Sequence, residues 1–134
     1  MQIPQGTTVA VTDGEKFNLF RNTGNEGHTK LTALSAVDVK SAELGSDPGH
    51  RSSAGNHDNS QVGEDSFSAG VTAYLNRQVL EGSIDNLVII AAPRTLGSMR
   101  KNYHKQLSAV LLGEIAKDLT GHSVSDVEKA IAAA

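Results

Sequence analysis

The chain has 134 residues, a formal net charge of −3 and no cysteine. One hydrophobic core suffices for this length, and 38% apolar with 20% charged residues fits an ordered globule rather than a disordered chain. The acidic balance speaks against a stand-alone nucleic-acid binder, and the missing cysteines exclude disulfides, thiolate metal sites and a cysteine nucleophile.

Met1-Gln2-Ile3-Pro4-Gln5-Gly6 has neither a basic start nor an apolar stretch, so it does not read as a secretory signal. The longest apolar run, Leu87 to Ala92, falls far short of the roughly 20 residues that span a bilayer. A cytoplasmic address without a membrane partner is expected.

Residues 7–12 are rich in β-branched side chains and end at Asp13-Gly14, a strong hairpin signal. Lys16 to Arg21 is the return strand, with Phe17 and Leu19 on one face. The turn-rich Asn22–Gly27 leads to a third strand over about 29–39, so the chain opens as an antiparallel meander. Residues 44–66 carry only Val62 as a large apolar side chain after Leu44 and read as a long, mobile polar loop. A helix over about 66–81 follows, capped by Asp65 or Ser66, striped by Phe67, Val71, Tyr74, Leu75 and Val79, and stopped at Gly82.

Asn86 to Pro93 is apolar on both faces, as a central strand is, and strand, helix and buried strand in succession predict a crossover. A second helix starts just after Pro93. Its inner stripe is Leu96, Met99, Tyr103 and Leu107, with Arg100, Lys101, His104 and Lys105 mostly outside. Periodicity does not separate helix from strand over 109–119, and Gly113 favours a strand over about 110–118. The last helix starts at Ser123, with Asp126 three residues on and Val124, Val127 and Ile131 facing inward. The expected fold is a single α/β domain over 1–134, a mixed β-sheet with an N-terminal antiparallel meander and about three helices.

Chemistry concentrates in few places. At Ala91-Ala92-Pro93-Arg94-Thr95-Leu96-Gly97 a strand turns into a helix, whose free amides and positive dipole end suit a phosphate or carboxylate, with Arg94 and Thr95 adding a charged fork and a hydroxyl. The structural alternative is that Pro93 sets the turn, Gly97 permits close packing on the sheet, and Arg94 pairs with a nearby acid. Arg100, Lys101, His104 and Lys105, with Arg77, form either a basic face for RNA backbone or a solvated surface. Asp47, His50, His57 and Asp58 share one polar loop without the helical spacing of a metal site, so no metal is expected. Glu114 and Asp118 read as caps or as partners of Lys117 and the adjacent helix. No nucleophile elbow and no Walker A loop is present, so catalytic residues and cofactors are not expected.

The stretch from Ile84 through Ala91-Ala92-Pro93-Arg94 to Lys101, followed by Gly113-Glu-Ile-Ala-Lys-Asp-Leu-Thr120, resembles the bacterial host attachment protein family. Asp13-Gly14, the Asp47-Pro-Gly-His-Arg-Ser52 loop and the helix from Phe67 to Leu75 match as well, with His50 inserted and with Ser68 and Ala69 in place of Ala-Arg. That family is in turn similar to the middle domain of archaeal and eukaryotic release factors and of Pelota, which implies a ribonuclease-H-like fold. In release factors the loop before the first helix carries a Gly-Gly-Gln tripeptide. None stands in 44–66 here, so peptide release is not expected. The carboxylates of ribonuclease-H-like nucleases are missing from 87–92.

The resemblance adds Gly49, Arg51 and Ser52 to Arg94, Thr95, Arg100 and Lys101 as candidate binding residues. The leading expectation is a non-catalytic, release-factor-like cytoplasmic protein that contacts the ribosome or tRNA. The alternatives are a protein-interaction factor that supports attachment to host cells, with another protein as its partner, and a hydrolase that uses the 44–66 loop.

Overall fold

A computed structural model describes residues 1–25, 27–34 and 59–134. Five strands, β1 (Thr8–Thr12), β2 (Phe17–Asn22), β3 (Leu31–Ala33), β4 (Leu87–Ala91) and β5 (Leu111–Ala116), form one mixed sheet in the order β3-β2-β1-β4-β5. β1, β2 and β3 pair antiparallel, whereas β4 pairs parallel with both β1 and β5. Four helices stand among the described residues: α1 (Asn59–Leu80), α2 (Pro93–Arg100), α3 (Lys105–Val110) and α4 (Val124–Ala133). The result is the single α/β domain with an opening meander that the sequence predicts.

The alternation of side chains along a strand sorts the core into two layers. Leu87, Ile89 and Ala91 of β4 join Ala10 and Leu19 under α1, α2 and α3, which contribute Val71, Leu75, Leu96, Met99 and Leu107. Val88 and Ile90 face the other way with Val9, Val11, Phe20 and Ile115, and α4 closes that layer with Val127 and Ile131. Every residue of β4 is buried, as a strand covered on both faces must be.

Local signals set most element ends. The Asp13 carboxylate accepts the Glu15 and Lys16 amides at 2.6 Å each, which closes the β1–β2 turn. Gly82 adopts φ +84, and the amides of Gly82 and Ser83 donate to the carbonyls of Val79 and Gln78, the Schellman stop of α1. Ser123 accepts the Asp126 amide and caps α4.

Four expectations change. The α1 helix begins at Asn59 rather than near 66, so Asp65 and Ser66 lie inside it and not at its entrance. Of the third strand expected over about 29–39, only Leu31–Ala33 is strand and residues 29, 30 and 34 are not; of the loop expected over 44–66, residues 59–66 belong to α1; the rest of both expectations falls within 35–58, outside the described residues. The predicted second helix is two. The Asn76 side chain donates to the Asn102 carbonyl and accepts the His104 amide, and His104 then caps α3 by accepting the Gln106 amide at 2.9 Å. These bonds break the helix while leaving Met99 and Leu107 in one core layer. Val124, expected inside, is exposed at the first position of α4.

Asn22 is the buried polar joint of the meander. Its side-chain amide donates to the carbonyls of Ile3 at 3.0 Å and Pro4 at 3.2 Å, and its oxygen accepts the amides of Gly24 and Lys30 at 3.0 Å each. One fully buried side chain thus ties the N-terminal segment to the β2–β3 connection.

Candidate functional site

Parallel pairing brings the C-terminal ends of β1, β4 and β5 to one edge of the sheet. From the end of β4 the chain enters α2, which packs on one face, and from the end of β5 it proceeds to α4 on the other. Open α/β sheets place their ligands outside the carboxyl ends of strands whose connections diverge in this way.

The α2 helix starts at that edge of the sheet. Ala92 is its N-cap and supplies no side-chain oxygen, and Pro93 occupies the first position and has no amide. Arg94 is exposed and forms no ion pair among the described residues. Thr95 is only 6% exposed, yet its hydroxyl makes no hydrogen bond among the described residues. Gly97 is exposed, and a methyl group added there would meet nothing within 4 Å. Of the structural alternative for this turn only the role of Pro93 stands. Nothing described lies within 4 Å of a Cβ at Gly97, and Arg94 has no acidic partner among the described residues.

Beside it, the Thr120 hydroxyl lies 2.7 Å from Asp13 Oδ2 and 2.8 Å from Asp118 Oδ1, so two carboxylates share one proton donor. Asp118 also accepts the Thr120 amide at 3.3 Å. Burial works to raise the Asp13 carboxyl, but the Thr120 hydroxyl, the Glu15 and Lys16 amides and the Lys16 charge outweigh it and hold it below the usual aspartate value.

At the far end of α2 the basic residues have a different setting. Arg100 Nε and Nη2 donate to Glu114 Oε1 at 3.0 and 2.8 Å, and the Tyr103 hydroxyl donates to Glu114 Oε2 at 2.6 Å. Glu114 therefore pairs with the adjacent helix, through Arg100 of α2 and Tyr103 just beyond it, rather than with Lys117, and Asp118 partners Thr120. Burial raises the Tyr103 phenol and its bond to the carboxylate raises it further. Burial works to raise Glu114 too, but the bonds from Arg100 and Tyr103 hold it below its ordinary value. Arg100 is thus committed to the edge of β5, although its side chain is 57% exposed. Lys101, His104 and Lys105 are exposed.

The structure therefore brings Arg94 and Thr95 together at one end of α2 and Arg100 and Lys101 at the other, about 10 Å of helix apart. Gly49, Arg51 and Ser52 lie outside the described residues, as do Asp47, His50, His57 and Asp58. Among the described residues no three histidines or carboxylates converge as metal ligands. The junction of Asp13, Asp118 and Thr120 was not expected from sequence. The Asp13-Gly14 and Lys117-Asp-Leu-Thr120 motifs mark its parts, but only the sheet order places them side by side.

A family model described as bacterial archaeo-eukaryotic release factor family 12 matches residues 6–131. The chain belongs to that family. Its release-factor kinship agrees with one side of the resemblance, and the host-attachment label is no part of the match. An uncharacterized protein of Rickettsia prowazekii (strain Madrid E) is 45% identical over 45 residues. That stretch covers 34% of this chain and 30% of the relative, so the chain spans under a third of that protein. No helix among the described residues of this family 12 member is long and apolar enough to cross a membrane.

Proposed function

We propose that this family 12 protein is a non-catalytic, cytoplasmic, release-factor-like domain that contacts the ribosome or tRNA without releasing peptide. The observation that carries the reading is the release-factor family match over nearly the whole chain. The second half of the proposal rests on composition: no two glycines are adjacent anywhere in the 134 residues, so the Gly-Gly-Gln tripeptide is absent. The contacts proposed for RNA backbone are Arg94 and Lys101, both exposed, with Arg100 contributing less because Glu114 already engages its guanidinium.

Co-sedimentation with bacterial ribosomes across a salt series tests this. Binding is expected at low salt and falls as salt rises, because each neutralised phosphate releases counterions. Arg94→Ala and Lys101→Ala each weaken it and flatten its salt dependence by about 0.7–0.9 in the log–log slope. Absence of binding at every salt concentration refutes the proposal.

A further inference from the structure

The entrance of α2 combines several features that internal packing leaves unexplained. Its N-cap carries no capping oxygen, so the helix does not satisfy its own first turn. The first-turn amides of Arg94 and Thr95 enter no cap or turn bond. The Thr95 hydroxyl is more than nine-tenths buried and, among the described residues, unpartnered, as is that of Thr8, whereas Thr7 bonds Pro4, Thr12 bonds Lys16, and Thr72 bonds Ser68 through main-chain carbonyls. A buried hydroxyl without a partner is costly, and an isosteric valine would avoid that cost. The Cα–Cβ bonds of a helix tilt toward its N-terminus, so the side chain of the third residue of α2 leans back toward the entrance. Arg94, next to it, has no ion pair.

We propose that the entrance of α2 binds one phosphate group, held by the amides of Arg94 and Thr95, the Thr95 hydroxyl and the Arg94 guanidinium. The helix dipole and the free amides supply the attraction, and the guanidinium supplies a forked pair of donors to two phosphate oxygens. Asp13 and Asp118 end the neighbouring strands, but each carboxylate accepts bonds from Thr120, and Asp13 accepts two main-chain amides as well. Their charge is therefore partly compensated. The phosphate is assigned to an RNA backbone, an assignment that rests on the release-factor reading. A free phosphate-bearing solute would present the same oxygens.

The test is an amide chemical-shift titration of the intact chain with inorganic phosphate and, separately, with a short single-stranded RNA. Saturable shifts centred on the Arg94 and Thr95 amides are expected with both probes. Thr95→Val weakens binding of each by about tenfold or more, the loss of one hydrogen bond to a charged group, while Thr95→Ser retains it. Thermal unfolding provides an independent readout: Thr95→Val melts no lower than the wild type, since it removes an unpaired buried hydroxyl.

Static Arg94 and Thr95 amides with both probes overturn the site, as does a Thr95→Val variant that binds like wild type or is clearly destabilised. Shifts with phosphate but not RNA support the site and reassign its ligand to a free phosphate-bearing solute. Ribosome binding that Thr95→Val leaves intact, together with static Arg94 and Thr95 amides in both titrations, refutes the site while sparing the release-factor reading. Phosphate binding without ribosome binding does the reverse.

Discussion

Replacing Glu114 by glutamine tests how the basic end of α2 is held to the sheet. Glu114 lies on the edge strand β5 and receives the Arg100 guanidinium and the Tyr103 hydroxyl, 14 and 11 residues away in sequence. The Arg100 arm contributes little to stability, because a side chain 57% exposed is screened by water. The Tyr103 arm is half-buried, and a hydrogen bond to a charged group is worth about 1.5–3 kcal/mol, which partial solvent access reduces to about 1–2 kcal/mol. Glutamine retains a neutral acceptor, so Glu114→Gln should lose about 1 kcal/mol and Glu114→Ala about 2 kcal/mol.

The pH dependence follows from the depressed pKa of Glu114 in the folded state. Its ionised form contributes fully above the ordinary glutamate value of 4.5, and that contribution fades as pH falls through the folded value. Urea unfolding at pH 7 and again below the ordinary glutamate value measures both effects. The difference between wild type and Glu114→Gln should be present at neutral pH and shrink in acid. A double-mutant cycle with Tyr103→Phe should show coupling of about 1 kcal/mol. Equal stability of the wild type and Glu114→Gln at pH 7, or a gap that widens in acid, refutes the reasoning.

Two further outcomes are expected from the same unfolding measurements. Asn22→Ala removes four hydrogen bonds at a fully buried position and should destabilise by about 3 kcal/mol, whereas Asn18→Ala on the exposed side of β2 stays within about 0.5 kcal/mol. A loss below ~1 kcal/mol for Asn22→Ala would mean that water replaces the side chain. Gly97→Ala should stabilise by about 0.5–1 kcal/mol, because the helical backbone at Gly97 is exposed and open space receives the methyl group; a lower melting temperature would contradict this.

Much of this protein is legible in its sequence, wherever the physical cause is local. The Asp13-Gly14 turn, the apolar stripe through Val71 and Leu75, the stop at Gly82, the doubly buried β4, the Pro93 entrance and the Ser123 cap each depend on residues within a few positions of one another. The same holds for the preference for a strand near 110–118, found as Leu111–Ala116. The residues at the entrance of α2 are legible too, since a strand–proline–helix junction announces its free amides.

What the sequence left open depends on partners far along the chain. Asn76 reaches 26 residues forward to break a continuous helical pattern, and no window of neighbouring residues contains that event. Thr120 meets Asp13 across 107 residues, because β1, β4 and β5 run parallel in an order that periodicity does not encode. The choice of Arg100 and Tyr103 over Lys117 as partners of Glu114 likewise follows from α2 lying over the sheet. Local propensity and pattern determined the elements and the kinds of residue at their ends. The register and order of the sheet decided which of those ends meet, and with them which charges are already paired and which are free to bind.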